Sequence, residues 1–324
     1  MRTNWILRLV IGVACLVGLK HTIPSHVDIY WVQRFRGPQP KRIFFIETNP
    51  ETTHVSLMAH CAVESAARKN PDFLVTFIID QRCRNMKMGS TMGLNNIEYM
   101  VLNTTEIFAN SILSNIAAKI DNATNHQLYT VSDLLRMVLL YHLGGAYFDY
   151  DVISIRAIPQ QFSNFAPMIR AKEKWWLTSC LLRFYQPQNQ LLANILKEVP
   201  LVIDTAKRGE LDFKLVTRVA ERFCHLTNST LGGKYFQCPR EFQFHSLTSK
   251  SGFMGQGLWW CRLKQLRQFT ENHSNFKNLF TIHFNDFKNV FHNNASYLLG
   301  LDDLSYIMRS HCPATYNHIR RISY

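Results

Sequence analysis

The sequence predicts an α/β domain with a parallel sheet, and three stretches carry that reading. RIFFIE (42–47) and FLVTFIID (73–80) are short apolar runs ended by turn residues, the pattern of buried strands. Between them HVSLMAHCAVESAARKNP has helical periodicity, with Val55, Met58, Ala59, Ala62, Val63 and Ala66 on one side, and it stops at Asn70-Pro71. Strand, helix and strand in under forty residues form a βαβ unit, which implies parallel strands joined by a right-handed crossover.

The alternation continues into IEYMVLN, a third strand, and a helix around 105–120. In open parallel sheets, ligands bind beyond the carboxyl ends of the strands. Glu47 and Thr48 stand at the end of the first strand, where a nucleotide would meet the sheet; a plain strand-ending turn accounts for the same two residues. Beyond residue 160, PQNQLLANILKEVPLVIDTAKRG and FKLVTRVAERFCHL have helical spacing, and LFTIHF (279–284) reads as a strand. With no internal repeat, low-complexity tract or second linker, the chain reads as one domain, 42–324, behind an N-terminal appendage.

That appendage is hydrophobic. The apolar run LVIGVACLVGL (9–19) follows Arg2 and Arg8, and Trp5 to Leu7 extend it backwards. Even as 5–19 it is shorter than the ~20 residues that span a bilayer core comfortably. It nevertheless starts too close to Met1 for a core helix, and no small-x-small cleavage site follows it. The reading is a signal anchor at 9–19, or 5–19 with Arg8 snorkelling, with 1–8 as a cytosolic tail; a cleaved signal peptide is the alternative, since eleven apolar residues also suit its hydrophobic region. Residues 20–41, with Pro24, Pro38 and Pro40, form a stem, and the remainder is lumenal. Asn-x-Ser/Thr occurs at Asn103, Asn122, Asn228, Asn272 and Asn294, in keeping with passage through the secretory pathway. Of eight cysteines, Cys15 lies in the leader. The other seven include no CxxC pair, so disulfides are expected rather than a zinc cluster, with at least one thiol unmatched inside the chain.

A composition 47% hydrophobic and 12% aromatic excludes a disordered chain. The net charge of +13 suits an anionic partner, but the basic residues are scattered, as at Lys41-Arg42, Lys207-Arg208 and Arg320-Arg321. Nucleic acid is therefore not expected as a partner.

The chemistry concentrates in SDLLRMVLLYHLGGAYFDYD (132–151). Val131 to Leu143 is helical and apolar nearly all round, hence buried. Its exceptions, Asp133 and Arg136, share a face and by themselves read as an intrahelical ion pair with Ser132 as a cap. Gly144-Gly145 ends the helix, since glycine takes the left-handed conformation without Cβ strain. AYFDYDVISI then reads as a strand, on which Asp149 and Asp151 face the same way. Two such carboxylates need a cation, a shared proton or bulk water, and hard oxygen donors favour Mn²⁺ or Mg²⁺. A hydrolytic acid/base pair is the competitor, but carboxylates this close leave no room for a sugar between them.

The same stretch resembles the S-D-x-x-R…G-G-x-Y-x-D-x-D signature of glycosyltransferases with DXD motifs, and more closely the α1,4-glycosyltransferase family (family 32). IFFIETN, CAVESAARKNPD, LLANILKEV, LVTRVAERFC, IHFND and HCPATYNH resemble segments of that family in the same order, over roughly 42–318. The resemblance implies a GT-A-type, Rossmann-like fold behind the signal anchor, a UDP-Gal or UDP-GalNAc donor, and Mn²⁺ or Mg²⁺. It further implies a glycolipid or glycan acceptor, and a single-pass type II protein of the Golgi membrane with its catalytic domain lumenal.

Roles follow position by position. Asp149 and Asp151 match the DXD, the second binding metal directly and the first binding metal or ribose. Asp133 matches an acid on the donor-sugar hydroxyls, and Arg136 a residue along the sugar phosphate. Glu47, Thr48, Gly144 and Gly145 fall among the nucleotide-binding positions. His283 matches a further metal ligand, although such a histidine by itself is more often part of a core. Cys224 and Cys238 match family cysteines, which implies a disulfide. Family enzymes retain anomeric configuration. With no nucleophile evident here, the implied route is front-face displacement, the departing phosphate helping to deprotonate the acceptor.

The chain departs from the family pattern in three places. LTSCLLRF (177–184) replaces Leu-Asn-Gly/Asn-Ala, Asp212-Phe213 stands where Gly-Pro is common, and Phe284-Asn285 follows His283 in place of a nearby Trp. Thr178-Ser179 and Asp212-Phe213 are thereby marked as pocket-forming positions that set substrate and rate. They are also what a second reading would use: a catalytically weak GT-A-fold chaperone or lectin-like subunit of the Golgi. The intact Asp133, Arg136, Asp149 and Asp151 favour the enzyme.

Overall fold

The structure, a computed structural model, describes residues 30–33, 35, 41–83, 86, 92–121, 128–158, 160, 163–171, 174–206, 209–228, 234–239, 244–248, 280–284, 295–300 and 302–323. The tail, the anchor segment at 9–19 and most of the stem lie outside these residues, as do Cys15, Cys261, Asn122, Asn272 and Asn294. Among the described residues, no helix is long and apolar enough to cross a membrane.

The expected βαβ unit opens the domain. β1 (Lys41–Glu47) leads to α1 (Leu57–Lys69) and then to β2 (Phe73–Asp80), with β1 and β2 parallel and Ile43 opposite Val75. α1 begins where the Ala59 N–H donates to Ser56 Oγ (3.1 Å) and ends where Asn70 Nδ2 donates to the Ala66 carbonyl (2.9 Å), just before Pro71. β3 (Ile97–Leu102) extends the sheet beside β2, again parallel. The single helix expected around 105–120 is instead two short ones, α2 (Thr104–Ala109) and α3 (Ala117–Asp121), joined through a 3-10 turn. Ser111 accounts for the break: its hydroxyl donates to the Phe108 carbonyl and accepts from the Leu113 N–H, competing with helical bonds. α4 (Leu128–Leu143) then returns the chain to β4 (Gly145–Phe148), which pairs parallel with β1.

Alternation along β1 divides the core. Ile43 and Phe45 point to the side covered by α1, while Phe44 and Ile46 point to the side covered by α4. Residues Leu134 to Leu140 of α4 are buried throughout, with Arg136 the polar exception, as the all-round apolar pattern requires. Within the stretch expected to be stem, Trp31 and Phe35 are buried in the core, and Phe35 sits edge-on to Phe44. Packed structure thus begins ahead of β1, a contribution that two isolated aromatics between prolines did not reveal.

The sheet is only half parallel, which corrects the expectation. After β5 (Val152–Ser154) come β6 (Asn164–Ala171), β7 (Lys174–Leu177) and β8 (Leu181–Phe184). α5 (Gln190–Val202) and α6 (Leu215–Phe223) follow, then β9 (His225–Asn228), β10 (Lys234–Gln237) and β11 (Phe244–Thr248). β8 pairs antiparallel with both β4 and β6, and beyond β6 the order continues through β11 and β10 to β9, making ten strands with β7 on the side of β6. These strands are mostly four to eight residues long, too short to announce their direction by periodicity.

A smaller layer closes the fold. β12 (Thr281–His283) pairs antiparallel with β5, and α7 (Ala295–Gly300), α8 (Asp302–His311) and α9 (Pro313–Ile322) follow it. Ile153, Ile282, Phe284, Leu304, Ile307 and Ile319 bury together against Met58 of α1. The Cys61–Cys312 disulfide ties α1 to the start of α9, with 5.0 Å between Cα atoms. The implied Cys224–Cys238 disulfide is present, with Cα atoms 4.2 Å apart. Cys83 and Cys180 remain as buried thiols.

Candidate functional site

The site forms where α4, β4 and β12 converge. Gly144, at φ +68°, donates its N–H to the Leu140 carbonyl (2.9 Å) and closes α4. A Cβ on Gly144 would lie 2.9 Å from the Tyr185 carbonyl oxygen, and one on Gly145 (φ +101°) would lie 2.9 Å from that of Arg42. The double glycine thus lets the chain reverse against two neighbouring backbones. It does so at the amino end of β4, lining a cavity of about 300 Å³ with Arg42, His142 and Arg183. The structure does not bring Gly144 and Gly145 to the acidic pair, which sits at the other end of the strand.

The strand itself stops at Phe148. Asp149, Tyr150 and Asp151 form a turn rather than a continuous strand, which corrects the expectation for AYFDYDVISI. The turn is held on three sides: Asp149 N–H donates to the Cys180 carbonyl (2.8 Å), Val152 N–H to the Asp149 carbonyl (2.9 Å), and Phe284 N–H to the Asp151 carbonyl (3.0 Å). The two carboxylates still converge, through the turn rather than through strand alternation. The β5–β12 pairing sets His283 opposite Val152 and brings its ring to them.

His283 Nε2 lies 3.1 Å from Asp151 Oδ1 and 3.7 Å from Asp149 Oδ2. Ligand atoms of the three residues all fall within 4.8 Å of one another, and all three residues are buried, Asp151 completely. Carboxylates are not buried without positive partners. Burial opposes the charge on His283, but Asp151 and Cys180 raise its pKa well above the ordinary value, so the imidazole is held protonated beside Asp151. Two carboxylate oxygens and an imidazole nitrogen form a donor set suited to Mn²⁺, and a divalent ion entering it would displace that proton.

Arg136 supplies the second positive charge. Its Nη1 is 3.1 Å from Asp149 Oδ1 and its Nη2 is 2.8 Å from Asp133 Oδ1, while the guanidinium stacks 4.4 Å from the Tyr147 ring centroid. Tyr147 donates its hydroxyl to Asp149 Oδ1 (2.7 Å). Nε donates to the Ser132 carbonyl (3.2 Å), Nη2 to Ser132 Oγ (3.3 Å), and Nη1 to both the carbonyl and hydroxyl of Ser179 (3.1 Å each). Burial works against this charge, but Tyr147, Asp149, Asp133 and Asp212 more than restore it and hold the guanidinium above its ordinary range. All three nitrogens are engaged within the protein, where Arg136 bridges Asp133 and Asp149. Nor does Ser132 cap the helix: α4 begins at Leu128, a turn earlier, and Ser132 serves Arg136 instead.

Glu47 and Thr48 stand at the carboxyl end of β1, which adjoins β4 on the same sheet edge. Glu47 Oε1 accepts from the Asn49 N–H (2.8 Å), and Thr48 is buried. Nearby Cys83 is pushed up to about 12 by burial and by Glu47 and Asp80, so it stays a thiol. Residue-by-residue reading gave no role to Tyr147, although it is the tyrosine of the signature, and missed the reach of Arg136 to Asp149. It marked Ser179 and Asp212 only as departures, with no indication that they meet.

Residues 56–176 match the model described as the glycosyltransferase sugar-binding region containing DXD motif. Human lactosylceramide 4-alpha-galactosyltransferase is 25% identical over 213 residues, 63% of this chain and 56% of its own length. Human alpha-1,4-N-acetylglucosaminyltransferase is 26% identical over 194 residues, 57% of this chain and 55% of its own. The resemblance to the α1,4-glycosyltransferase family is borne out. The chain spans a little over half the length of these curated relatives. Among solved structures, the PaToxG glycosyltransferase overlays at a TM-score of 0.41 with 16% identity, covering 56% of this chain and 69% of its own. An active-site mutant of LgtC overlays at 0.37 with 12% identity, covering 75% and 86%.

Proposed function

We propose that this protein is a retaining α1,4-glycosyltransferase with a GT-A-type fold, moving Gal or GalNAc from a UDP-sugar to the terminal sugar of a glycolipid in the Golgi lumen. The acceptor class is a lactosylceramide-like or GalNAc-terminated glycosphingolipid, and the catalytic domain hangs from a type II anchor. The observation that carries the proposal is the buried Asp149–Asp151–His283 cluster at the carboxyl end of β4, beside the Asp133–Arg136 pair. Two acids and an imidazole gathered in this way are what a metal-assisted transfer from a diphosphate donor needs.

Asp149, Asp151 and His283 would hold Mn²⁺ or Mg²⁺, which supplies neutralisation of the charge developing on the departing diphosphate. Glu47 and Thr48, on the same sheet edge, would meet the nucleotide. Arg136 keeps Asp133 and Asp149 apart and oriented, leaving Asp133, with a side chain 14% exposed, to accept from donor-sugar hydroxyls. Because these groups are fixed by packing before substrate arrives, little reorganisation is needed at the reacting centre.

The test is UDP release by the full-length chain from UDP-Gal, UDP-GalNAc, UDP-GlcNAc and UDP-Glc, with and without Mn²⁺, against lactosylceramide and GalNAc-terminated acceptors. Metal-dependent turnover of UDP-Gal or UDP-GalNAc is expected. A chain that binds no UDP with Mn²⁺ present would instead be a chaperone or lectin-like subunit.

A further inference from the structure

Two of the three segments that depart from the family pattern meet behind Arg136. The Ser179 N–H donates to Asp212 Oδ1 (3.0 Å), and the Ser179 hydroxyl donates to the same oxygen. That hydroxyl and the Ser179 carbonyl both accept from Arg136 Nη1, the nitrogen that also contacts Asp149. Asp212, Ser179, Arg136 and Asp149 therefore form one continuous polar relay ending on a residue of the acid–imidazole cluster.

The relay is built into the fold. Asp212 lies in a π-helical turn, Glu210–Lys214, where its own backbone departs from helical geometry at φ −89° and ψ −111°. The turn opens on Gly209 at φ +80°, where a Cβ would meet the Phe213 ring at 2.5 Å. Phe213 in turn sits edge-on to Trp176 with ring centroids 5.4 Å apart. The segment is thereby anchored on both sides of Asp212, and its carboxylate is delivered to Ser179 from 33 residues away.

We infer that Asp212 is a positioning residue for the metal and donor site, acting through Ser179 on Arg136. Arg136 touches two carboxylates directly, Asp133 and Asp149, and Asp212 sets a third behind it through one hydroxyl. Its negative charge offsets part of the guanidinium's pull on Asp149. The Asp149 oxygens then remain available to a divalent cation, and the Asp133–Asp149 spacing is fixed. A Gly-Pro segment offers no such charge, so this adjustment belongs to the Thr178-Ser179 and Asp212-Phe213 combination of this chain. The inference rests on the proposed metal-dependent transferase reading.

The test is Mn²⁺ binding to the full-length chain, followed by the electron paramagnetic resonance signal of free Mn²⁺, with no donor or acceptor present. Asp212→Asn is expected to weaken Mn²⁺ binding about tenfold, the lower end of what loss of a partner behind a metal ligand produces. Asp212→Glu, which keeps the charge, should recover most of that affinity. Ser179→Ala keeps the backbone bond to Asp212 but cuts the hydroxyl link, and it should weaken binding in the same direction. That variant carries the test should Asp212→Asn not fold. Unchanged Mn²⁺ affinity in folded Asp212→Asn or Ser179→Ala overturns the inference while leaving the transferase reading intact, as does equal weakening in Asp212→Glu. Absence of Mn²⁺ binding by the unaltered chain overturns the transferase reading first.

Discussion

Glu64 is completely buried in the middle of α1, yet three of the hydrogen bonds it accepts come from about 250 residues away. Oε1 accepts from the Ala314 N–H (2.9 Å), and Oε2 accepts from the Thr315 N–H (2.7 Å) and the Thr315 hydroxyl (2.8 Å). Cys312, at the N-cap of α9, provides no side-chain cap, so Glu64 supplies both the missing acceptor and a negative charge at the helix's positive end. Arg68 closes the arrangement at 2.7 Å. Glu64→Gln keeps the shape but removes the charge and turns one acceptor into a donor facing N–H and O–H donors. Hydrogen bonds to a charged group are each worth about 1.5–3 kcal/mol, and a charge at a partly buried helix end about 1–2 kcal/mol more. Since these contributions overlap, about 3 kcal/mol is the expected loss. Urea unfolding of the disulfide-intact chain should show the unfolding free energy falling by that amount, through a lower midpoint at unchanged slope. Hydrogen exchange should rise first in α9, which packs with the strand that carries His283. A stability change under about 0.5 kcal/mol, the scatter of ordinary surface substitutions, would refute the reasoning.

Two further outcomes are expected. Gly144→Ala must place a Cβ in the left-handed region and 2.9 Å from the Tyr185 carbonyl oxygen, and should lose about 2–3 kcal/mol in the same urea assay with no specific effect on Mn²⁺ affinity. His60, His142 and His311 are each lowered to about 4, chiefly by burial, whereas the unfolded chain protonates near 6.5. The unfolded state thus binds more protons through that window, so stability is full above about pH 6.5 and falls as the pH drops towards 4, by about 1–2 kcal/mol per imidazole at pH 5. Thermal unfolding between pH 7 and 5 should show this, and His142→Gln should flatten the slope by roughly a third.

Local patterning made some of this legible and distance hid the rest. β1, α1 and β2 could be read because buried strands and a capped helix write their ends into adjacent residues: Ser56 at one end of α1, and Asn70 and Pro71 at the other. The Asp149–Asp151 convergence was legible too, but for the wrong reason. The strand breaks at Phe148, and the pair is oriented by bonds from Cys180 and Phe284 that no window of neighbouring residues contains. His283 comes to the site through a three-residue strand pairing that sets it opposite Val152, 131 positions earlier, so only the resemblance could nominate it. Arg136 was rightly placed on a face with Asp133, yet its bonds to Ser179, and those of Ser179 to Asp212, join segments that no spacing rule connects. The Glu64 clamp and the Cys61–Cys312 bridge lie beyond sequence reading for the same reason, since each joins residues about 250 apart.

Calorimetric titration of the full-length chain with UDP, with and without Mn²⁺, in unaltered and Asp151→Asn forms, puts the cluster itself to the test. Asp151 has no solvent exposure and faces His283 at 3.1 Å, so the amide keeps the shape while removing a charged ligand. The result predicted is UDP binding that requires Mn²⁺ in the unaltered chain and weakens at least about a hundredfold in a folded Asp151→Asn protein. UDP binding of equal strength without metal, or Mn²⁺-dependent binding retained in Asp151→Asn, would contradict a metal-centred site at Asp149, Asp151 and His283.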